Sequence, residues 1–405
     1  MTIRPILSSL SRNKFGAVLI ATQIAITLGF LANALAIVEY RLSWSSRPSG
    51  MDEANLFSIS SDSVDHPADL AAGVHTDLAT LRALPGVVDA FADYGYPFSG
   101  GGWISSVNLS VDQKTETTET AVYLADEHAL SALGVHLIAG RNFTADEITD
   151  RREGDIPTPD VLIVTKTLAD RLFPAGNALG QTIYVTSDQP ERIIGIVDRL
   201  QAPVIEANGA TSTIAEHSVL GPYRPIDERS DYLVRVTPGQ LDAVMKSAEK
   251  ALLTLNGDRI LRIRSMEERR RTAYRGDHGL VVLLISVCTA LVAVTGFGIV
   301  GLTSYWVTQR RQQIGIRRAL GATRRDIVAY FQTENLLIAG LGAAAGVLLA
   351  IALNLWLVRS FEMVRMPGRY ALIGAAIMLI LGQLAVLWPA RRAASIPPAL
   401  ATRGG

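Results

Sequence analysis

Polar and apolar positions alternate along the chain on two scales, one of about 20 residues and one of a few. Positions 17–38, 279–307, 335–358 and 371–388 contain no Asp, Glu, Lys or Arg. A helix crosses the hydrocarbon core of a bilayer with roughly 20 apolar residues, so each run predicts a membrane-spanning helix. Arg12 and Lys14 precede the first run, and Ala34-Leu35-Ala36 within it resembles a signal-peptide cleavage site. The run is longer than the roughly 7 to 15 residues of a signal core, which favours an uncut anchor.

Positions 39–278 carry the shorter periods of a domain in water. Leu56–Ser60 reads as a strand, and Pro67 as a first-turn proline opening a helix with Leu70, Val74, Leu78 and Leu81 on one face. Pro85-Gly86 breaks that helix before a strand from Val87. The same plan recurs as a strand at Tyr232–Val236, a helix at Gln240–Leu255 and, after Asn256-Gly257, a strand at Arg259–Ile263. Two such units are expected to share one mixed sheet. Between them, about 128–222 reads as an inserted, mainly β subdomain. It has a strand at Val161–Val164, a helix at Lys166–Leu172 and a turn at Pro174–Gly180. Thr182–Thr186 and Arg192–Val197 then form a hairpin across Ser187–Glu191. The fold class is therefore an α+β membrane protein, with four transmembrane helices and a large α+β extracytoplasmic domain.

Charge adds an orientation. The 405 residues hold 38 basic and 38 acidic side chains, a balance that argues against a nucleic-acid partner. Lys and Arg gather in three places: Arg4, Arg12 and Lys14; Arg310, Arg311, Arg317, Arg318, Arg324 and Arg325; and Arg391, Arg392 and Arg403. The positive-inside tendency places 1–14, 308–334 and 389–405 in the cytoplasm, against the opposing vote of Arg359, Arg365 and Arg369 in the short loop 359–370. Residues 39–278 then lie outside, with 35 acidic against 23 basic residues. The single cysteine, Cys288, lies in the second span and reads as a buried apolar residue, so the outer domain holds no disulfide.

Catalytic patterns are absent from the sequence: there is no phosphate-binding loop, nucleophile elbow, zinc-protease helix or paired-cysteine motif. The glycine-rich stretch Ser99–Trp103 lacks the Lys-Ser/Thr ending of a phosphate loop and reads as flexible. The six histidines, His66, His75, His128, His136, His217 and His278, never fall three or four apart, and only a tertiary pairing such as His128 with His136 is left open. Neither an enzyme nor a cofactor is expected. The spans also lack the ionisable residues of a proton path. They carry small residues instead, Gly296, Gly298 and Gly301 in the second and Gly340, Gly342 and Gly346 in the third, which suit close helix packing within the chain or in a dimer.

The most specific segment is Gln309–Asn335, QRRQQIGIRRALGATRRDIVAYFQTEN. Ile314–Leu320 predicts a short helix ended by Gly321, and Thr323–Asp326 a capping box that opens the next one. Arg310 and Arg311 read as positive-inside anchors. Ile314, Gly315, Ile316, Arg317, Arg318, Ala319, Leu320, Gly321 and Ala322 make an apolar and basic patch at the membrane face, of the kind that marks a docking site. Upstream, Ser265 and Glu268 form another capping box, predicting one helix from Met266 to about Val307 with an outer stalk that Gly276 and Gly279 can hinge.

The run IGIRRALGATRRDI, followed by Glu334 and a glycine-rich span, resembles the signature of the MacB/FtsX-like ABC transporter permeases. The tail Pro389–Leu400 is similar to that family's ending, as are Gly140–Phe143, Leu168–Phe173 and Leu179-Gly180-Gln181. Gln313 departs from the pattern, where the family commonly has Glu. The resemblance implies a coupling helix that docks on a separate ATPase subunit, and a working dimer with a second permease copy or paralogue. It implies an outer domain of porter-like halves, about 50–127 and 223–264, around the insertion at 128–222; the stalk read from the helix pattern takes 265–278. A periplasmic adaptor and an outer-membrane channel are expected partners, with membrane lipid, in a bacterial inner membrane. The implied role is mechanotransmission for efflux or lipoprotein release; the other reading is an FtsX-like signalling permease that regulates a cell-wall hydrolase.

Overall fold

The computed structural model describes residues 14–64, 69–113, 115–152, 154–155, 158–185, 188–203, 214–361, 363 and 365–395. Pro67, His66, Arg4, Arg12, Ser187 and the tail from Ile396, with Arg403, lie outside the described residues. The chain divides into two compact units, Met1–Ser45 with Asp277–Gly405, and Ser46–Gly276.

After helix α1 (Lys14–Ser45), the Ser46–Gly276 unit begins with β1 (Leu56–Ser63), α2 (Leu70–Arg82), β2 (Val87–Ala92), β3 (Trp103–Asn108) and β4 (Thr118–Leu124). It continues with α3 (Ala129–Leu133), β5 (Leu137–Gly140), β6 (Thr149–Arg151), β7 (Val161–Thr165), α4 (Lys166–Leu172), β8 (Thr182–Val185) and β9 (Glu191–Val197). It ends with β10 (Ser218–Gly221), β11 (Tyr223–Pro225), β12 (Arg229–Val236), α5 (Leu241–Leu255), β13 (Arg259–Ser265) and α6 (Met266–Ala273).

Among the described residues the two strand–helix–strand units share one four-stranded sheet of order β13-β1-β12-β2. Its pairings, such as Ile59 with Tyr232 and with Ile263 and Leu233 with Phe91, are all antiparallel, so the expected mixed sheet is corrected. The reason is interleaving: the parallel strands of each unit are kept apart by an oppositely directed strand of the other. Asp69 opens α2 by accepting a hydrogen bond from the Ala72 N–H at 3.0 Å. Val74, Leu78 and Leu81 of α2 and Val244, Ala248 and Leu252 of α5 then pack on Phe57, Ile59, Tyr232 and Val234. Asp77 enters this core as a charge, bonded to Arg259 Nη1 at 2.6 Å and to the Tyr232 hydroxyl at 2.8 Å.

Among the described residues the second sheet has seven strands in the order β5-β9-β7-β10-β4-β3-β8, and β8 also pairs with β9, so the sheet closes on itself. The β8–β9 hairpin pairs Thr182 with Arg192 and Ile183 with Glu191. Strands β3 and β4 belong to this sheet although both precede residue 128, the expected start of the insertion. Most of β3 is only half-buried, which leaves its apolar alternation weak. Inside, Val107, Leu162, Val164, Ile183, Val185, Ile193 and Val219 form one apolar cluster with Leu168 and Leu172 of α4. Glu191 is 1% exposed and accepts from the Val185 N–H at 2.8 Å. Burial pushes its carboxyl up to about 8.

The expected helix from Met266 to Val307 is interrupted. Ser265 Oγ caps α6 by accepting from the Glu268 N–H at 3.2 Å, and α6 then ends at Tyr274, before α7 (Arg275–Gln309) begins. Tyr274 is buried, its hydroxyl accepts from Gln201 Nε2 at 3.0 Å, and its ring meets the edge of Phe98. That anchorage sets the break at Tyr274 rather than at Gly276 or Gly279.

The helical unit adds α8 (Arg311–Ala319), α9 (Arg324–Phe361) and α10 (Gly368–Ala394). Helices α1, α7, α9 and α10 are each long and apolar enough to cross a membrane. Their backbones meet through glycine. A Cβ on Gly342 would lie 2.8 Å from Ala21 O, one on Gly346 2.9 Å from Leu28 Cβ, and one on Gly298 2.6 Å from Gln23 Oε1. Gly342 and Gly346 thus serve close packing onto α1 within the chain, whereas Gly298 meets the end of the Gln23 side chain. Gly296 meets a Leu381 methyl at 3.5 Å, and Gly301 and Gly340 have nothing within 4 Å. Polar contacts assist: the Thr27 and Thr295 hydroxyls lie 2.8 Å apart, and Asn33 Nδ2 donates to Ala350 O at 3.0 Å.

Gly346→Leu is expected to lower stability by about 1–3 kcal/mol through overpacking against α1, whereas Gly301→Leu leaves it unchanged; thermal unfolding of the purified protein reads both. For Glu191, the fold retains a proton that the unfolded chain releases, so stability falls as pH rises from about 4.5 to about 8. Glu191→Gln is expected to flatten the melting-temperature profile over that range and to exceed wild type at its upper end. An unchanged slope contradicts this account of Glu191.

Candidate functional site

The segment between α7 and α9 is built from local signals. α7 ends at Gln309, and Arg310 leaves helical geometry (φ −100, ψ 14) as the residue before α8. Gly321, at φ +100, terminates the turn after Leu320 in the left-handed conformation that glycine adopts without strain. The Thr323–Asp326 capping box forms as expected: Thr323 Oγ1 accepts from the Asp326 N–H at 3.2 Å, and Asp326 Oδ2 accepts from the Thr323 N–H at 2.9 Å.

The candidate docking residues divide between two faces of α8. Ile314 and Gly315 are buried, and Ile314 packs in the helical core with Trp306, Ile327, Phe331 and Ala390. Ile316, Arg317, Ala319, Leu320 and Gly321 are exposed, while Arg318 and Ala322 are half-buried. Leu320 is 83% exposed, which is unusual for a leucine whose chain neighbours are ordered. The Arg317 guanidinium lies 4.8 Å from the centroid of the Tyr330 ring, which holds the cation on the α9 side of the patch. Gln313, the departure from the expected Glu, is exposed.

One residue of the site was underestimated. Arg310, read as an anchor, places Nη1 3.0 and 2.9 Å from the two carboxylate oxygens of Glu334, which is 3% exposed. The pair ties the end of α7 to α9 and brackets α8. Its only sequence signal was an acid at the head of an apolar run, with no local partner. Elsewhere two of the histidines meet carboxylates: His128 Nδ1 lies 2.9 Å from Asp89 and His75 Nε2 2.9 Å from Asp150. Among the described residues no group of three or more His, Cys, Asp or Glu is placed to hold a metal.

The chain has relatives among known proteins. Residues 19–251 match the MacB-like periplasmic core domain, and residues 284–398 match the FtsX-like permease C-terminal region. A macrolide export ATP-binding/permease protein MacB from Chromobacterium violaceum is 29% identical over 65% of this chain and 40% of its own length. The protein of that description from Pectobacterium atrosepticum is 28% identical over 75% of this chain and 47% of its own. The chain thus spans less than half the length of these relatives. Two solved structures are similar at low TM-score. The periplasmic region of MacB from Actinobacillus actinomycetemcomitans has 15% identity, covers 55% of this chain and 94% of that one, and scores 0.35. The extracellular domain of the noncanonic ABC-type transporter YknZ has 14% identity, covers 51% and 99%, and scores 0.32. With the two matched regions covering most of its length, the chain belongs to the family of multi-pass ABC transporter permeases that join a MacB-like periplasmic core domain to an FtsX-like permease region.

Proposed function

We propose that this permease transmits ATP-driven motion from a separate ATPase subunit to the Ser46–Gly276 unit, for export of substrates out of the cell envelope. The observation that carries the reading is the α8 patch. An exposed Leu320 and Ile316 beside Arg317 offer an apolar and cationic face, and Ile314 with the Arg310–Glu334 pair fixes that face to two membrane helices. A force applied to α8 then passes into α7 and α9 instead of deforming a loop.

Both termini and α8 lie in the cytoplasm in this scheme, as the clustering of Lys and Arg supports, and the Ser46–Gly276 unit lies on the opposite side of an inner membrane. The working form is a dimer with a second copy or a paralogue. Gly342 and Gly346 are occupied by α1, so the partner packs elsewhere, and α7 offers exposed Leu283, Val294 and Phe297. A periplasmic adaptor and an outer-membrane channel complete the path, and the relatives' description as macrolide exporters supports the efflux reading.

Leu320→Glu and Arg317→Glu are expected to weaken ATPase recruitment by at least about tenfold, as removal of a central anchor does, with the melting temperature unchanged because both side chains are exposed. Co-purification from detergent-solubilised membranes, with quantified stoichiometry, measures this. Retention of full ATPase binding by the double variant would remove α8 as the docking element.

A further inference from the structure

Ser99–Trp103, read from the sequence as a flexible loop, forms part of the wall of a cavity of about 810 Å³ inside the Ser46–Gly276 unit. Gly95 and Gly102 make the close approach that shapes this wall, since a Cβ on Gly95 would lie 2.7 Å from Gly102 Cα. β1, β4, the turn into β12 and α6 supply the remaining walls.

Asp93 stands in this cavity at 2% exposure. Its Oδ1 accepts long hydrogen bonds, 3.4 Å each, from the N–H groups of Gly95 and Leu124. Its Oδ2 is buried without a hydrogen-bond partner among the described residues, and so is the hydroxyl of the adjacent Tyr94. Buried polar atoms are almost always partnered, and two neighbouring exceptions on residues that line one cavity point to a ligand that carries donors. Burial also holds the Asp93 carboxyl well above the usual range, a cost that a cation beside it would relieve.

The surrounding charge selects the sign of that ligand. Asp227, Glu228 and Asp231 line the cavity with Asp93, against Arg229 and Arg269. Both arginines are engaged: Arg229 pairs with Asp62 at 3.6 Å, and Arg269 donates to Ser58 Oγ at 3.0 Å and lies 5.5 Å from the Tyr96 ring centroid. Trp103, Val122 and Leu124 give the cavity an apolar side.

We propose that this cavity binds an amphiphilic molecule carrying a protonated amine on an aromatic or apolar body. The ammonium donates to Asp93 Oδ2 and to the Tyr94 hydroxyl oxygen, and the body lies against Trp103, Val122 and Leu124. Occupancy is placed to be felt by α6. Arg269 of α6 lines the cavity, and Arg270 pairs with Glu53 at 2.6 Å and lies over the Phe98 ring at 5.2 Å. Phe98 is the one described non-glycine residue at positive φ, 71°, in the same loop. As a substrate-class assignment this deepens the export reading and rests on it, although the binding itself is measured without ATP or a partner.

The experiment titrates monodansylcadaverine, a primary alkylammonium with an aromatic fluorophore, into the full chain in lipid nanodiscs and follows its emission. Saturable binding is expected for wild type. Asp93→Asn, nearly isosteric, is expected to weaken it by about tenfold or more, as loss of a charge-assisted hydrogen bond does. Tyr94→Phe, which removes a hydroxyl without a partner, is expected to weaken it by about threefold with the fold retained. The N-acetylated probe, uncharged, is expected to bind at least about tenfold more weakly than its parent. Absence of saturable binding overturns the proposal, as does equal affinity for the acetylated probe or wild-type affinity in both variants. Such a failure leaves ATPase recruitment through Leu320 untouched, so the two readings fail separately.

Discussion

Arg310 and Glu334 are 24 residues apart, and the bond between them determines what the segment between α7 and α9 can do. A carboxylate as buried as Glu334 is stable only when a cation reaches it, and breaking such a pair by removing one partner typically costs about 3–5 kcal/mol. Here the cation comes from the residue at which α7 stops. The two membrane helices are therefore held at a set spacing where α8 crosses between them. Ile314 is the second fixing point, a side chain of α8 sunk in the same apolar cluster as Phe331 and Ala390. With its inner face committed, α8 is left with one free surface, and Ile316, Arg317 and Leu320 occupy it.

The Ser46–Gly276 unit is organised by a different constraint. Each of its strand–helix–strand halves needs a partner strand between its own two, and the other half supplies it, so neither half completes a sheet alone. The closed seven-stranded sheet is threaded between the two halves in sequence, and the loop after β2 becomes a wall instead of a tether. Helix α6 follows directly on an edge strand of the first sheet. Its arginines reach Ser58, Glu53 and the rings of Tyr96 and Phe98, so it is bonded to that loop and to β1 together.

What the sequence revealed and what it hid separate by range. The four spans were legible because length and absence of charge are properties of a continuous run, and the capping box at Thr323–Asp326 because its partners are three residues apart. The apolar and basic patch on α8 was legible as a composition out of place, but its division into a buried Ile314 and an exposed Leu320 followed only from the position of α9. Arg310 looked like an anchor because its partner is remote. Gly342 and Gly346 announced close packing without naming α1 as the surface they meet. The antiparallel sheet, the membership of Trp103–Asn108 and the break at Tyr274 all rest on contacts between distant segments, and a weakly alternating strand or a buried tyrosine carries no local mark of them.

A charge exchange measures directly whether the Arg310–Glu334 pair links α8 to the membrane helices. The readout is the stimulation of ATP hydrolysis when the permease is reconstituted with its ATPase, for Arg310→Glu, Glu334→Arg and the double variant carrying both. Each single variant should lose most of the stimulation, because it buries two like charges together, and the exchanged pair should recover a substantial part of it. Full stimulation in both single variants, with each bound normally to the ATPase, would contradict the claim that motion passes through this pair.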